Sequence, residues 1–264
     1  HSDCPVESSH SDRAYSVSFS PDGQLIASGS RDKTVKIWRI DGTLLGVLEG
    51  HTERVNSVAF SPDGRLIASG SDDKMVKLWN KEGELLQTLS GRYPHQSYVT
   101  SVTFSPDGQR IASASWDNTV KIWHLDGTLE KTLLQGYSDS VESVGFSPDG
   151  RLLVSASWDG TVKLWSLKDG TLLKTLQGHT SGVLDVEFSP NGEIIASAGD
   201  DNTVILWNLD LDDLTRRACT WLHDYFKYSK NISEGDRALC EEAIKEQRFP
   251  QSRSPALEWL SRSR

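Results

Sequence analysis

The chain has 264 residues, of which 36% are hydrophobic and 25% are charged, and its formal net charge is −9. No apolar run approaches the roughly 18–20 residues of a membrane span, and no signal-peptide pattern opens the chain. Residues 1–208 carry the whole acidic excess, which argues against a nucleic-acid partner and favours a protein or peptide. The three cysteines, Cys4, Cys219 and Cys240, are too few and too far apart for a disulfide scaffold, which favours a reducing, cytoplasmic compartment.

Residues 1–9 do not fit the pattern of the rest of the chain, and position 1 is not methionine, so we expect a piece of a longer polypeptide. From His10 onward a unit of 41 to 44 residues occurs five times. A fixed period of this size is typical of an array that reuses one supersecondary unit. Each unit contains a Phe-Ser-Pro-(Asp/Asn)-Gly segment, which begins at Phe19, Phe60, Phe104, Phe146 and Phe188.

Each unit predicts four short strands. The first strand alternates, as in residues 55–60, which places Val58 and Phe60 on one face. The Ser-Pro-Asp-Gly segment is typical of a turn, because proline presets φ and glycine accepts a left-handed backbone. An apolar second strand, a tight turn containing Asp73, a third strand ending at Trp79 and a fourth strand follow.

Four strands per unit, with no helices between units, predict an all-β fold, a β-propeller with five recognisable four-stranded blades. A single blade cannot bury both of its faces, so its neighbours must cover it. The expected propeller domain is 1–209, with repeats at about 10–50, 51–90, 91–136, 137–178 and 179–209.

Gly50-His51, Ser69, Asp73 and Trp79 together resemble the WD-repeat family, and the resemblance covers residues 10–207. The final Trp-Asp pair of that family reads Trp-Arg, Trp-Asn, Trp-His, Trp-Ser and Trp-Asn in this chain. The chain also resembles the C-terminal part of large bacterial, cyanobacterial-type WD-repeat proteins. In those proteins the propeller often follows a signalling NTPase or kinase domain, so the resemblance implies an upstream signalling domain.

The fifth unit stops after its third strand, because Trp207 is not followed by another fourth strand. In the family the N-terminal segment donates the missing strand, but Pro5 would remove one ladder hydrogen bond from residues 3–7. Because the family usually closes with seven blades, we interpret the chain as the C-terminal part of a larger ring. The alternative is a five-bladed ring that residues 1–9 close.

Residues 210–264 have a different period. Apolar residues recur at three- and four-residue steps from Leu211 to Tyr225, which predicts an amphipathic helix. Ser233 with Asp236 indicates the start of a second helix, and Ser254-Pro255 that of a short third one. We therefore expect a helical C-terminal extension.

Ser, His and Asp recur together, which is also the composition of a catalytic triad. Their repetition in every unit argues for a structural role, and the family resemblance implies a buried hydrogen-bond chain of Trp, Ser, His and Asp in each blade. Such a chain spares each buried polar group the roughly 1–3 kcal/mol that lacking a partner costs. The predicted network comprises His10, Ser28, Asp32 and Trp38; His51, Ser69, Asp73 and Trp79; His95, Ser113, Asp117 and Trp123; Tyr137, Ser155, Asp159 and Trp165; and His179, Ser197, Asp201 and Trp207.

Tyr137 replaces the histidine of the fourth unit, and His95 fits its position only if residues 91–95 contain an insertion. We predict a weaker network around Tyr137 and an altered titration of Asp159.

The resemblance implies a partner-binding surface on one face of the ring. Two kinds of position build it: those flanking the first valine of each unit and the one just before the structural aspartate. Framework positions are near copies, whereas these vary in chemistry from unit to unit and are free to serve recognition. The surface comprises Arg13, Tyr15, Arg31, Arg54, Asn56, Asp72, Tyr98, Thr100, Trp116, Ser140, Glu142, Trp158, Gly182, Leu184 and Asp200.

Trp116 and Trp158 occupy the same position in adjacent units, so we expect them side by side with Tyr98 nearby. Aromatic residues and arginine dominate interface hot spots. The alternative is that each tryptophan covers its own turn and packs on the next blade.

No Cys or His pair has the spacing of metal ligands, and no phosphate-binding Gly-x-x-x-x-Gly-Lys-Ser/Thr loop occurs. We expect no metal, no cofactor, no membrane partner and no enzymatic activity. The chain is interpreted as a non-catalytic protein-interaction scaffold or sensor module. A propeller enzyme with its site in the channel, and a structural array that oligomerises through the helical tail, are the alternatives.

Overall fold

The computed structural model describes residues 9–90, 93–133 and 136–209, which form β-strands joined by turns. The predicted closing strand at 3–7 and the predicted helices in 210–264 lie outside the described residues. The ranges that the structure describes contain no helix, and so none that could cross a membrane.

Five antiparallel sheets follow one another along the chain, and the predicted all-β architecture is confirmed. The first contains β1 (Ala14–Phe19), β2 (Leu25–Ser30), β3 (Val35–Arg39) and β4 (Leu44–Leu48). The second contains β5 (Val55–Phe60), β6 (Leu66–Ser71), β7 (Val76–Asn80) and β8 (Leu85–Leu89). The third contains β9 (Val99–Phe104), β10 (Arg110–Ser115), β11 (Thr119–His124) and β12 (Leu129–Leu133).

The fourth sheet contains β13 (Val141–Phe146), β14 (Leu152–Ser157), β15 (Thr161–Ser166) and β16 (Leu172–Gln177). The fifth has three described strands, β17 (Val183–Phe188), β18 (Ile194–Gly199) and β19 (Val204–Asn208). In every sheet each strand pairs with the next one in the chain, so each unit of sequence forms one meander.

The repeated Ser-Pro-Asp-Gly segment forms the turn between the first two strands of a sheet. In the second sheet Gly64 has φ of 70°, and its N–H donates to the carbonyl oxygen of Ser61 at 2.8 Å. The Ser61 hydroxyl donates to Oδ1 of Asp63 at 2.6 Å and accepts a bond from the backbone N–H of Leu66 at 2.9 Å. The left-handed backbone explains the glycine, and the side-chain bonds explain the serine and aspartate.

The hydrophobic core lies between neighbouring sheets. Val58, Phe60 and Trp79 of the second sheet pack against residues of the first, including Val35 and Ile37. The same positions pack between the second and third sheets and between the third and fourth. Each sheet therefore uses one face toward the preceding sheet and the other toward the following sheet.

These framework positions become exposed at the two ends of the array. Phe19 on β1 is 58% exposed, whereas Phe60, its counterpart on β5, is 9% exposed. On β19, Val204 is 68% exposed, whereas its counterpart Val35 is fully buried. In a five-bladed ring closed on itself these two faces would cover each other. The larger ring stays a prediction.

Candidate functional site

One hydrogen-bond network recurs within four of the five sheets. In the second sheet Nε2 of His51 lies 2.8 Å from Oγ of Ser69, and Nδ1 lies 2.7 Å from Oδ2 of Asp73. The indole of Trp79 donates to the same serine oxygen at 2.8 Å. Since a carboxylate only accepts, the imidazole proton resides on Nδ1, and the serine hydroxyl donates to Nε2. The structure brings the predicted groups together in the same way around His10, His95 and His179.

The aspartate of this network is held by more donors than the sequence pattern suggested. Hydroxyl Oγ1 of Thr119 donates to Oδ1 of Asp117 at 2.5 Å, and the backbone N–H of Gln96 donates to Oδ2 at 2.9 Å. Burial acts to raise the pKa of Asp117, but the hydrogen bonds, led by that from His95, outweigh it and hold this pKa below its ordinary value. The threonine two residues after the aspartate recurs in four units, so an Asp-x-Thr signal was available in the sequence.

The fourth sheet completes the network by another route. The hydroxyl of Tyr137 bonds to Oγ of Ser155, which also accepts the indole N–H of Trp165 at 2.9 Å. Lys163, which is buried, places Nζ 3.4 Å from Oδ2 of Asp159 and 4.7 Å above the centre of the Tyr137 ring. Burial raises the pKa of Tyr137. The lower strength predicted for this network stays a prediction.

The lysines at the equivalent position of the second and third sheets form different hydrogen bonds. Lys77 and Lys121 donate to the hydroxyl groups of Thr88 and Thr132 on the outer strands, at 3.1 and 3.3 Å. Lys163 is therefore the residue that sequence reasoning missed in this network.

The predicted partner-binding positions acquire a common geometry from β-bulges. The pairing between the first two strands slips by one residue in every sheet, between Val55 and Ser57 in the second sheet, for example. The unpaired residue is a predicted recognition residue each time, and such bulges turn a side chain away from the regular pleat. These residues are Tyr15, Asn56, Thr100, Glu142 and Leu184.

A second repeated contact joins the residue before each structural aspartate to the residue just before the first strand of the same sheet. The backbone N–H of Trp116 donates to the carbonyl oxygen of Tyr98 at 3.0 Å, and that of Trp158 donates to Ser140 at 2.9 Å. Each residue before a structural aspartate is thereby held beside the start of the first strand of its own sheet. The same bond joins Arg31 to Arg13, Asp72 to Arg54 and Asp200 to Gly182.

Residues from four consecutive units line one cavity, which we call the central cavity, with a volume of about 160 Å³. All eight of its lining residues belong to the predicted recognition set, although they are spread over 128 positions of sequence. They are Tyr15, Arg54, Asn56, Asp72, Tyr98, Thr100, Trp116 and Glu142.

The charged groups of the central cavity are paired with each other. The guanidinium of Arg54 lies 4.8 Å from the centre of the Tyr15 ring, and its Nε is 3.0 Å from Oδ2 of Asp72. Asn56 donates through Nδ2 to Oδ1 of Asp72 at 2.7 Å and to the carbonyl oxygen of Val99 at 2.9 Å. Arg54 is thus held in position, and its charge is largely offset by Asp72.

Trp116 and Trp158 lie on the same face and are 45% and 39% exposed. The Trp116 ring packs beside Tyr98, with 5.3 Å between ring centres. Trp158 lies over Gly182 of the next unit, where a Cβ atom would overlap its six-membered ring. Each tryptophan thus makes a packing contact and keeps a large exposed surface, so features of both sequence interpretations are present.

The two tryptophans also line a second cavity of about 340 Å³, which we call the tryptophan groove. Its other lining residues are Ser97, Asp139 and Ser140. Of these, Ser97 and Asp139 were absent from the predicted set, because they lie in the loop before the first strand of a sheet, where no periodic signal marks them.

Five predicted recognition residues line neither cavity, and they belong to the first and fifth units. Gly182 is buried under Trp158, and the other four are exposed: Arg13, Arg31, Leu184 and Asp200. Among residues 9–90, 93–133 and 136–209 the structure shows no group of three or more metal-ligating side chains.

A family model described as "WD domain, G-beta repeat" matches residues 4–39, 42–80, 83–124, 127–166 and 170–208, which together make up most of the chain. From residue 42 onward each matched segment combines the outer strand of one sheet with three strands of the next. A protein of Arabidopsis thaliana named "U4/U6 small nuclear ribonucleoprotein PRP4-like protein" is 49% identical over 41 residues, which are 16% of this chain and 7% of that protein. The shared stretch has the length of one repeat.

Proposed function

Since this chain belongs to the WD-repeat family, whose propellers generally serve as protein-interaction scaffolds, we propose that it binds a protein or peptide through the face that contains the central cavity and the tryptophan groove. One observation carries this proposal. Eight residues that vary from unit to unit converge on a single cavity, while the framework around them repeats. A surface that packing does not dictate is free to serve recognition.

The composition of this face supports a protein partner. Tyr15, Tyr98, Trp116 and Trp158 are all exposed there, and the half-buried Arg54 lies among them. Tyrosine, tryptophan and arginine are the residues that most often dominate the binding energy of protein interfaces. The polar network groups are bonded to each other within their sheets, so we assign them a structural and not a catalytic role.

The similarity to the Arabidopsis thaliana protein extends over the length of a single repeat. One repeat mainly records the shared framework, so we do not transfer the role of that protein. We further propose, on the resemblance to large bacterial WD-repeat proteins, that the chain is part of a larger cytoplasmic signalling protein of bacterial type with a helical C-terminal extension.

Affinity capture from native lysate tests the proposed function, with the double variant Trp116→Ala, Trp158→Ala as the probe. We expect the variant to lose its captured partner while its melting temperature stays near that of the parent chain. Leu86→Ala is the matched control, because Leu86 is an exposed apolar residue on the outer strand β8. Unfolding of the double variant, or capture that persists, would contradict the proposal.

A further inference from the structure

The tryptophan groove has a distinct chemical character. Two indoles and the carboxylate of Asp139 line it, together with two serines, and no basic side chain is among its lining residues. Oδ1 of Asp139 accepts the backbone N–H of Ser140 at 2.7 Å, and neither Asp139 nor Glu142 has an ion-pair partner within the described ranges. The groove therefore combines aromatic surface with uncompensated negative charge.

Glu142 lies beside the two tryptophans. Its Oε1 accepts the hydroxyl of Ser140 at 3.0 Å. Burial raises the pKa of Glu142, against the opposing effect of Ser140 and of the indoles of Trp116 and Trp158. Both indoles are partly exposed and line the groove, so the surface that they offer to it includes their apolar rings.

We infer that the tryptophan groove takes the side chain of an arginine from the bound protein or peptide, an inference that rests on the proposed function. A cation over the face of tryptophan is attracted by the ring quadrupole, and tryptophan is the best of the aromatic residues for this contact. A guanidinium is planar and weakly hydrated, so it stacks on indole while its N–H fork bonds a carboxylate such as Asp139. An acidic side chain would be repelled by Asp139 and Glu142.

The neighbouring central cavity does not offer an equivalent site for an arginine side chain of the partner. Its arginine, Arg54, is already paired with Asp72 at 3.0 Å and stacked on Tyr15. This intramolecular arrangement of guanidinium, aromatic ring and carboxylate is the same combination that we infer between the partner and the tryptophan groove.

The test uses the 264-residue chain and the peptide acetyl-Gly-Ala-Arg-Ala-Gly-amide, with the indole N–H resonances of Trp116 and Trp158 as the readout. Trp116→Phe and Trp158→Phe assign the two resonances. We expect saturable shifts of both signals with the arginine peptide and none with its citrulline analogue, which keeps the shape and loses the charge. Asp139→Asn should weaken binding roughly threefold to tenfold.

Asp12→Asn is the matched control, because Asp12 occupies the position of Asp139 in the first unit and accepts the N–H of Arg13 in the same way, at 2.8 Å. That variant should bind the peptide as the parent chain does. Equal binding of the citrulline peptide, tighter binding of the corresponding lysine or trimethyllysine peptide, or no shift up to about 10 mM peptide would overturn the inference. If the peptides fail while the double tryptophan variant still loses its captured partner, the arginine inference falls and the proposed function stands.

Discussion

The ammonium group of Lys163 lies 3.4 Å from Oδ2 of Asp159, at the place where an imidazole nitrogen contacts the aspartate in the other four sheets. Tyr137 supplies the bond to the serine, and Lys163 supplies the charge beside the aspartate. Two residues therefore perform in the fourth sheet what one histidine performs elsewhere, and the lysine has become part of the buried framework.

Lys163→Met should lower the free energy of unfolding by about 1–3 kcal/mol, because Asp159 would lose a buried cationic partner. Lys121→Met is the control, since Lys121 donates to Thr132 and the hydrogen bond to Asp117 of the same sheet comes from His95. Chemical unfolding of both variants provides the comparison, and the Lys121 variant should lose clearly less. Equal losses would show that the contact with Asp159 contributes nothing specific.

Tyr137→His supplies the second arm of that experiment. It should raise the melting temperature, because an imidazole can bond both Ser155 and Asp159 and release Lys163 toward Thr175 on the outer strand. In this background Lys163→Met should cost less than it does in the parent chain. Additive effects in the double-mutant cycle would mean that Tyr137 and Lys163 do not act as a unit.

Stability should fall on acidification in two stages. Burial lowers the pKa of His95 from 6.5, so its stabilising contribution is present above pH 6.5 and is lost as the pH falls below that value. Burial acts to raise the pKa of Asp32, but hydrogen bonds led by that from Thr34 lower it to about 2, so its contribution is present above pH 3.8 and is lost as the pH falls toward 2. Urea unfolding between pH 7 and pH 2 would reveal both stages. His95→Gln should flatten the first stage and leave the second, and an unchanged first stage would exclude His95 as its source.

Equivalent phenylalanines should differ greatly in their contribution to stability. Phe60→Ala should cost about 3–5 kcal/mol, as expected for a buried aromatic side chain, whereas Phe19→Ala should cost less than about 1 kcal/mol. The two residues share sequence context and turn geometry, so each is the control for the other. A large cost at Phe19 would show that the exposed face of the first sheet is covered in solution.

Gly182→Ala should displace the indole of Trp158, because a Cβ atom would overlap the ring. We expect a changed tryptophan fluorescence spectrum and a loss of about 1–3 kcal/mol in unfolding free energy. Gly46→Ala is the control, since a Cβ at Gly46 meets no atom within 4 Å. If both variants keep the parent spectrum, Trp158 does not lie on Gly182 in solution.

The repeated framework could be predicted from the sequence because its signals occur five times. The turn glycines and the buried valines follow from spacing, whereas the serine–histidine–aspartate sets follow from the resemblance to the WD-repeat family. The bulges that turn Asn56 and its counterparts away from the pleat leave no local signal, because they arise from a slip between two strands. Sequence position could nevertheless identify these residues, since they vary where the framework does not.

The role of Lys163 could not be predicted in this way. A lysine occurs at the equivalent position in four of the five units, so the sequence pattern does not distinguish Lys163 from the other three. Its conformation depends on which residue occupies position 137, a contact across the sheet. Asp139 was missed for a related reason, because a loop aspartate becomes informative only when two tryptophans from different units are found beside it.

Every bond between the histidine, serine, aspartate and tryptophan of a network stays within one sheet. Each unit therefore completes this network alone, and it meets its neighbours through apolar surfaces built from equivalent residues and through a few hydrogen bonds such as that from Asn56 to Val99. The framework of a unit and its recognition residues can therefore change independently of each other. Duplication of a unit copies its complete hydrogen-bond network. Later substitutions at the bulge or before the aspartate change the recognition surface and leave the fold intact.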